Sequence, residues 1–223
     1  MKAYWDDSLS TTTHEYTNIS PPAYQALVMD KDVEILSETE VKNLNNYIDT
    51  LKFEKSTVFG EGDNKDPRTN SDLRSSTGCT LHEDHELTKK LHLKLNAGLD
   101  DYKERVCKIH SSFQYYPVPG GYETNSWREG IQVLDYEKTQ EYKFHHDVAD
   151  EKSRREYYRT ISIILYLTND FEGGRTLFNH DAFKPKVGSA LIFPSNWCYP
   201  HAGEPVTSGK KRVAVTWYYV EKQ

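Results

Sequence analysis

The chain has 223 residues, enough for one domain with a substantial core or at most two small ones. With 36% hydrophobic and 28% charged residues it is wet but globular, and a formal net charge of −6 argues against nucleic acid as a partner, since phosphate calls for a basic surface. No apolar run reaches bilayer-spanning length, the start MKAYWDDSLS lacks a signal-like apolar stretch, and three scattered cysteines make no disulfide framework. The expectation is a soluble intracellular protein of a reducing compartment, with no membrane partner.

Residues 1 to about 30 are polar and Thr-rich, and read as an arm preceding a single domain over 31–223. Ser37 and Glu40 form a capping box, after which Val41, Leu44, Ile48 and Leu51 recur at helical spacing. The run FGEGDNKDPRTNSD has loop composition. After HEDHE a second helix is predicted, with Leu87, Leu91, Leu95 and Leu99 on one stripe and His82, His85 and His92 decorating it. QYYPVPGGYETN reads as another loop. Its Tyr115, Tyr116 and Tyr122 either line a groove for a polyproline II peptide or pack over a sheet edge.

The texture changes at Gly130. IQVLDY, TISIILYL, RTLF, SALIF and RVAVTWYYV are short, β-branched and aromatic, and turns separate them. EKSRREYYR reads as a charged loop with Arg154 and Arg155 in solvent. Helices followed by strands predict an α+β fold, with a double-stranded β-helix (jelly-roll) core over approximately 130–220 and supporting N-terminal helices.

Within EYKFHHD, strand parity sends His145 and Asp147 to one face and His146 to the other. Alone, such a pair is ordinary surface chemistry. Fifty-six residues beyond His145, His201 is expected at a turn between two strands, from which a sandwich could bring it back against the first pair. His145, Asp147 and His201 would then form a 2-His-1-carboxylate triad that leaves open positions on iron, with zinc as the competing metal. Next come Lys210, Lys211 and Arg212. Parity groups Lys211 with Val213, Val215 and Trp217 and turns Arg212 away, unless the strand slips by one residue and Arg212 takes its place. A cation inside a barrel mouth needs an anion. A dicarboxylate reaching from the metal to Lys211 would supply it.

From about residue 33 onward the chain resembles the iron(II)/2-oxoglutarate dioxygenases, and within them the prolyl 4-hydroxylases. FEKSTVFGEGD…DLRSSTGCTL, EGIQVLDYEKTQEYKFHHD, RTISIILYLTNDFEGGRTLF and HAGEPVTSGKKRVAVTW carry the resemblance, in the family's order. It implies iron ligation by His145, Asp147 and His201, a salt bridge from Lys211 to the distal carboxylate of 2-oxoglutarate, and hydroxyls of Tyr136 and Tyr166 facing that co-substrate. It also implies that Tyr142, Arg159 and Trp217 lie near a peptide substrate, that Arg74 and Ser76 belong to a loop closing over it, and that Glu129 lies near the same cleft. Phe144 stands where the family has proline, and His146 where it has an aromatic residue.

The activity implied is procollagen-type hydroxylation of proline in a peptide or protein. It would use Fe(2+), O2 and ascorbate and convert 2-oxoglutarate to succinate and CO2. The rivals are the same chemistry on another peptidyl residue, on a free amino acid or on another small molecule, and a non-catalytic peptide-binding module. A nucleobase-repair oxygenase would need a further downstream arginine, and a zinc hydrolase a general base. The sequence offers neither.

Overall fold

The computed structural model describes residues 29–59, 67–68, 70–109, 128–148, 157–179 and 181–221. Among them the chain runs β1 (Asp30–Glu34), α1 (Glu38–Ile48), β2 (Glu54–Lys55), β3 (Val58–Phe59), β4 (Pro67–Arg68), β5 (Thr77–Thr80) and α2 (Glu86–Ile109). It continues as β6 (Gln132–Tyr136), β7 (Tyr142–His145), β8 (Tyr157–Tyr166), β9 (Phe171–Gly173), β10 (Thr176–Phe178) and β11 (Asp181–Phe183). It ends with β12 (Ser189–Pro194), β13 (His201–Gly203), β14 (Val206–Gly209) and β15 (Lys211–Glu221).

A seven-stranded antiparallel sheet has the order β1-β12-β8-β15-β6-β5-β2, and a four-stranded one the order β11-β10-β13-β7. β12, β8 and β15 form the middle of the large sheet because their β-branched residues are buried. Ile161, Ile163, Leu165, Leu191, Ile192, Val213 and Val215 share one core with residues of both helices. Each such side chain contributes about 1.5–3 kcal/mol when fully buried.

The two helices arise from distinct local signals. Ser37 Oγ accepts from Glu40 N–H at 3.4 Å while Glu40 Oε2 accepts from Ser37 N–H at 2.9 Å, which closes the capping box. α1 buries Val41, Leu44 and Ile48, and Leu51 falls beyond its end. α2 buries Leu91, Leu95 and Leu99 together with Tyr102 and Val106. Gly98 lets α2 approach β1 closely: a Cβ there would lie 2.8 Å from Ile35 Cδ1, so that side chain would have to shift. Gly188, at φ +82°, accepts from both Ile35 and Leu36 N–H and so joins β1 to the turn before β12. No described helix is long and apolar enough to cross a membrane.

Several sequence expectations change. β1 begins at the point where the arm was expected to end, and Met29 is buried, while residues 1–28 lie outside the described residues. Two short strands, β3 and β4, pair across the FGEGDNKDPRTNSD segment. His82 and His85 precede α2 instead of decorating it, and His92 is fully buried. Tyr157 to Arg159 belong to β8, not to a loop. The Tyr115, Tyr116 and Tyr122 loop, Arg154 and Arg155 lie outside the described residues.

Candidate active site

β7 and β13 are neighbours in the four-stranded sheet, and their register sets His145 directly opposite His201. His201 therefore opens a strand, where a turn had been expected. Asp147 lies just past β7, so strand parity alone does not aim it. Its segment is fixed instead by Val148 N–H donating to Ser195 O at 3.0 Å.

The ligating atoms of His145, Asp147 and His201 lie within 4.8 Å of one another. His145 Nε2 is 3.4 Å from Asp147 Oδ1, and His201 Nε2 is 3.6 Å from Oδ2. Each ring's Nδ1 faces a backbone carbonyl, Lys143 O at 2.8 Å and Tyr199 O at 3.2 Å. A carbonyl only accepts, so both Nδ1 atoms carry the proton and both Nε2 lone pairs face the shared centre. Tyr142 stacks on His145 at 3.7 Å, and Phe193 packs edge-on against His201 at 4.9 Å.

The electrostatics suit a cation. Burial pushes the Asp147 carboxyl up, but the two imidazoles and Arg159 together hold it well below the usual carboxylate range. Burial pushes His201 down to about 4 despite the neighbouring carboxylate, so its ring is neutral at pH 7, the form that ligates.

These residues line a cavity of about 130 Å³ that also takes in Arg74, Tyr136, Tyr142, Arg159, Trp217 and Lys211. Val213 and Val215 line it too, whereas Arg212 turns to the opposite face of the sheet. There Arg212 grips Asp135 at 2.7 and 2.9 Å and Asp49 at 2.8 Å. Lys211 is 3% exposed, with its ammonium 5.2 and 5.3 Å from the rings of Tyr136 and Tyr166. Among the described residues no ion pair holds it. Burial, only partly offset by Glu204, lowers its pKa to about 7. A three-donor cluster at one wall and, at another, a buried lysine with no ion pair among the described residues fit a metal together with a ligand anionic at both ends.

The remaining residues singled out in the sequence are placed as follows. Arg159 donates to Glu129 at 2.5 and 2.7 Å and lies 3.6 Å above the Trp217 ring. Glu129 thus acts on the cavity through Arg159. Arg74 stacks over Tyr142 at 4.8 Å, and its Nε donates to Ser76 Oγ at 3.2 Å. Ser76 is buried behind Arg74 and outside the cavity lining. The Tyr166 hydroxyl is engaged with Thr176 Oγ1 at 2.6 Å and Phe183 O at 3.4 Å, so its ring, not its hydroxyl, flanks Lys211. Ser162 and Ser195, the two hydroxyls behind Asp147, are not among the residues that the sequence singles out. The available signal was a serine in the middle of the apolar run TISIILYL.

Two imidazoles and a carboxylate converging on a β framework, with open space beside them, define a facial-triad metal site of the oxygenase kind. The comparisons agree. The model of the 2OG-Fe(II) oxygenase superfamily matches residues 131–219. A "Putative prolyl 4-hydroxylase" of Acanthamoeba polyphaga mimivirus is 30% identical over 93% of this chain and 79% of its own length. Prolyl 4-hydroxylase 5 of Arabidopsis thaliana is 29% identical over 75% of this chain, which spans 60% of that relative. The collagen prolyl hydroxylase of Paramecium bursaria Chlorella virus-1, solved with 2-oxoglutarate, shares the fold with a TM-score of 0.61. It is 24% identical, and the match covers 86% of this chain and 96% of that one. The chain belongs to the 2OG-Fe(II) oxygenase superfamily and is prolyl 4-hydroxylase-like.

Proposed function

We propose that this protein hydroxylates proline in peptides, using iron(II) held by His145, Asp147 and His201, 2-oxoglutarate anchored by Lys211, and ascorbate to keep the iron reduced. One observation carries the reading: the three donors share a cavity with a buried lysine that makes no ion pair among the described residues. We take residues 31–223 as one catalytic unit, its jelly roll braced by α1 and α2. When bound, iron(II) and 2-oxoglutarate supply dioxygen activation with loss of CO2 to give succinate, chemistry that no side chain can perform.

The chain's own residues bind, orient and exclude water. Lys211 pairs with the distal carboxylate between the rings of Tyr136 and Tyr166, in surroundings dry enough for the charge pair to be strong. Both imidazoles aim Nε2 inward, and His201, buried, is neutral at pH 7. Arg159, fixed by Glu129 and Trp217, and Arg74 over Tyr142 present flat cationic and aromatic surfaces at the cavity. Such surfaces suit a stiff proline-containing backbone, which loses little entropy on docking.

The test is mass spectrometry of proline-rich peptides incubated with the protein, iron(II), ascorbate and 2-oxoglutarate. One added oxygen on prolyl residues, with matching succinate, is expected. Succinate formed with free proline but not with peptides would move the reading to a small-molecule substrate. Absence of succinate under every condition would overturn it.

A further inference from the structure

Asp147 is held from behind. Ser162 Oγ donates to Asp147 Oδ2 at 2.7 Å and lies 2.8 Å from Ser195 Oγ, and each serine is 1% exposed. A hydroxyl has one proton to give. That of Ser162 goes to the carboxylate, so the contact between the serines is Ser195 donating to Ser162. The result is a directed chain of two hydroxyls ending on an anion and shut off from water, where each bond strengthens the next.

The backbone makes this chain a fastening as well. Ser162 lies in the middle of β8, and Ser195 directly follows β12. Ser195 N–H donates to Thr160 O at 2.9 Å, and Ser195 O accepts from Val148 N–H at 3.0 Å. The serine pair therefore joins three segments: the one bearing Asp147, the central strand, and the one that leads on to His201.

A carboxylate can bind a metal through one oxygen or two. Either way its rotamer must be fixed and its charge kept free. A cation behind Oδ2 would also fix the rotamer, but it would compete with the metal for the negative charge. A neutral hydroxyl fixes the rotamer and leaves the charge in place. Resting on the reading above, we infer that Ser162, oriented by Ser195, is a positioning residue that holds the Asp147 carboxylate through Oδ2 in the orientation in which it would share a metal with His145 and His201.

The experiment measures binding of cobalt(II) and manganese(II) by calorimetry without turnover, with the cobalt absorption spectrum as a report of coordination number. Ser162→Ala is expected to weaken binding by about 10–100-fold and to alter the cobalt spectrum. Ser162→Thr, which restores a hydroxyl, is expected to keep both near wild type, and Ser195→Ala to fall between. A folded Ser162→Ala protein with wild-type affinity and spectrum overturns the inference. Should that variant fail to fold, Ser195→Ala decides: unchanged affinity and spectrum overturn it equally. His145→Ala separates the two readings. If wild type binds cobalt(II) no better than His145→Ala, the metal site itself is wrong. If wild type binds well and the serine variants match it, only the positioning role fails.

Discussion

An ammonium wedged between two tyrosine rings, with 3% exposure, is a costly residue to fold around unless an anion joins it. Lys211→Met keeps the length of the side chain and removes the charge. The KM for 2-oxoglutarate is expected to rise by about 100-fold, the scale of a buried charge pair lost, in a succinate-release assay. The ligand-free variant should nonetheless be the more stable protein at neutral pH. The sign follows from burial: Lys211 titrates near 7 when folded and near 10.5 when exposed, so the unfolded chain holds more protons between those values. Wild-type stability therefore rises from about pH 7 to 10.5, and the variant should lack that component of the slope. Urea midpoints at pH 7.5 and 9.5 would check it. The residues of the site were legible where the backbone is regular. The alternation that separates Lys211 from Arg212 could be read because β15 is long and pairs in regular register where it begins. The Tyr166 hydroxyl could not be assigned, because its partners Thr176 and Phe183 come from other strands.

Elements with strong periodicity were equally open to reading, and short ones were not. β1, β5, β9, β11, β13 and β14 have three to five residues each, too few for an alternating pattern, and form because a neighbouring strand offers its edge. The small strand that begins at His201 is of this kind. α2 holds a subtler case. Thr88, His92, Leu95, Leu99, Tyr102 and Val106 follow one another at helical spacing and are all buried, so the signal that His92 faces inward was present beside the leucines. Arg128 Nη1 lies 2.6 Å from His92 Nε2. Burial, reinforced by that guanidinium, lowers the His92 pKa to about 3. Its contribution is complete above about pH 6.5 and is lost as pH falls toward 3, because the unfolded chain takes up the proton first. His92→Gln should flatten acid unfolding across that window, as followed by circular dichroism during acid titration.

For the whole molecule, the cavity lies where both sheets contribute a wall, so filling it should tighten the entire fold. Manganese(II) and 2-oxoglutarate, each at 100 times its dissociation constant, are expected to stabilise the protein by about 2.7 kcal/mol apiece, or roughly 5–10 °C each in melting temperature. With Lys211→Met, the increment from 2-oxoglutarate should disappear while that from the metal remains, and scanning calorimetry separates the two. β15, which pairs with β6 on one side and β8 on the other, ties this behaviour to the threading of the chain. Its first two residues carry opposite errands, one side chain inward to the cavity and the next outward to Asp135, Asp49 and Asn45. Sliding that strand by a single step would thrust a guanidinium at the ligand cluster and leave three outer acceptors facing a hydrocarbon stem. Misassembly is thus penalised twice over, once on the cavity face and once by a clasp on the far side of the sheet.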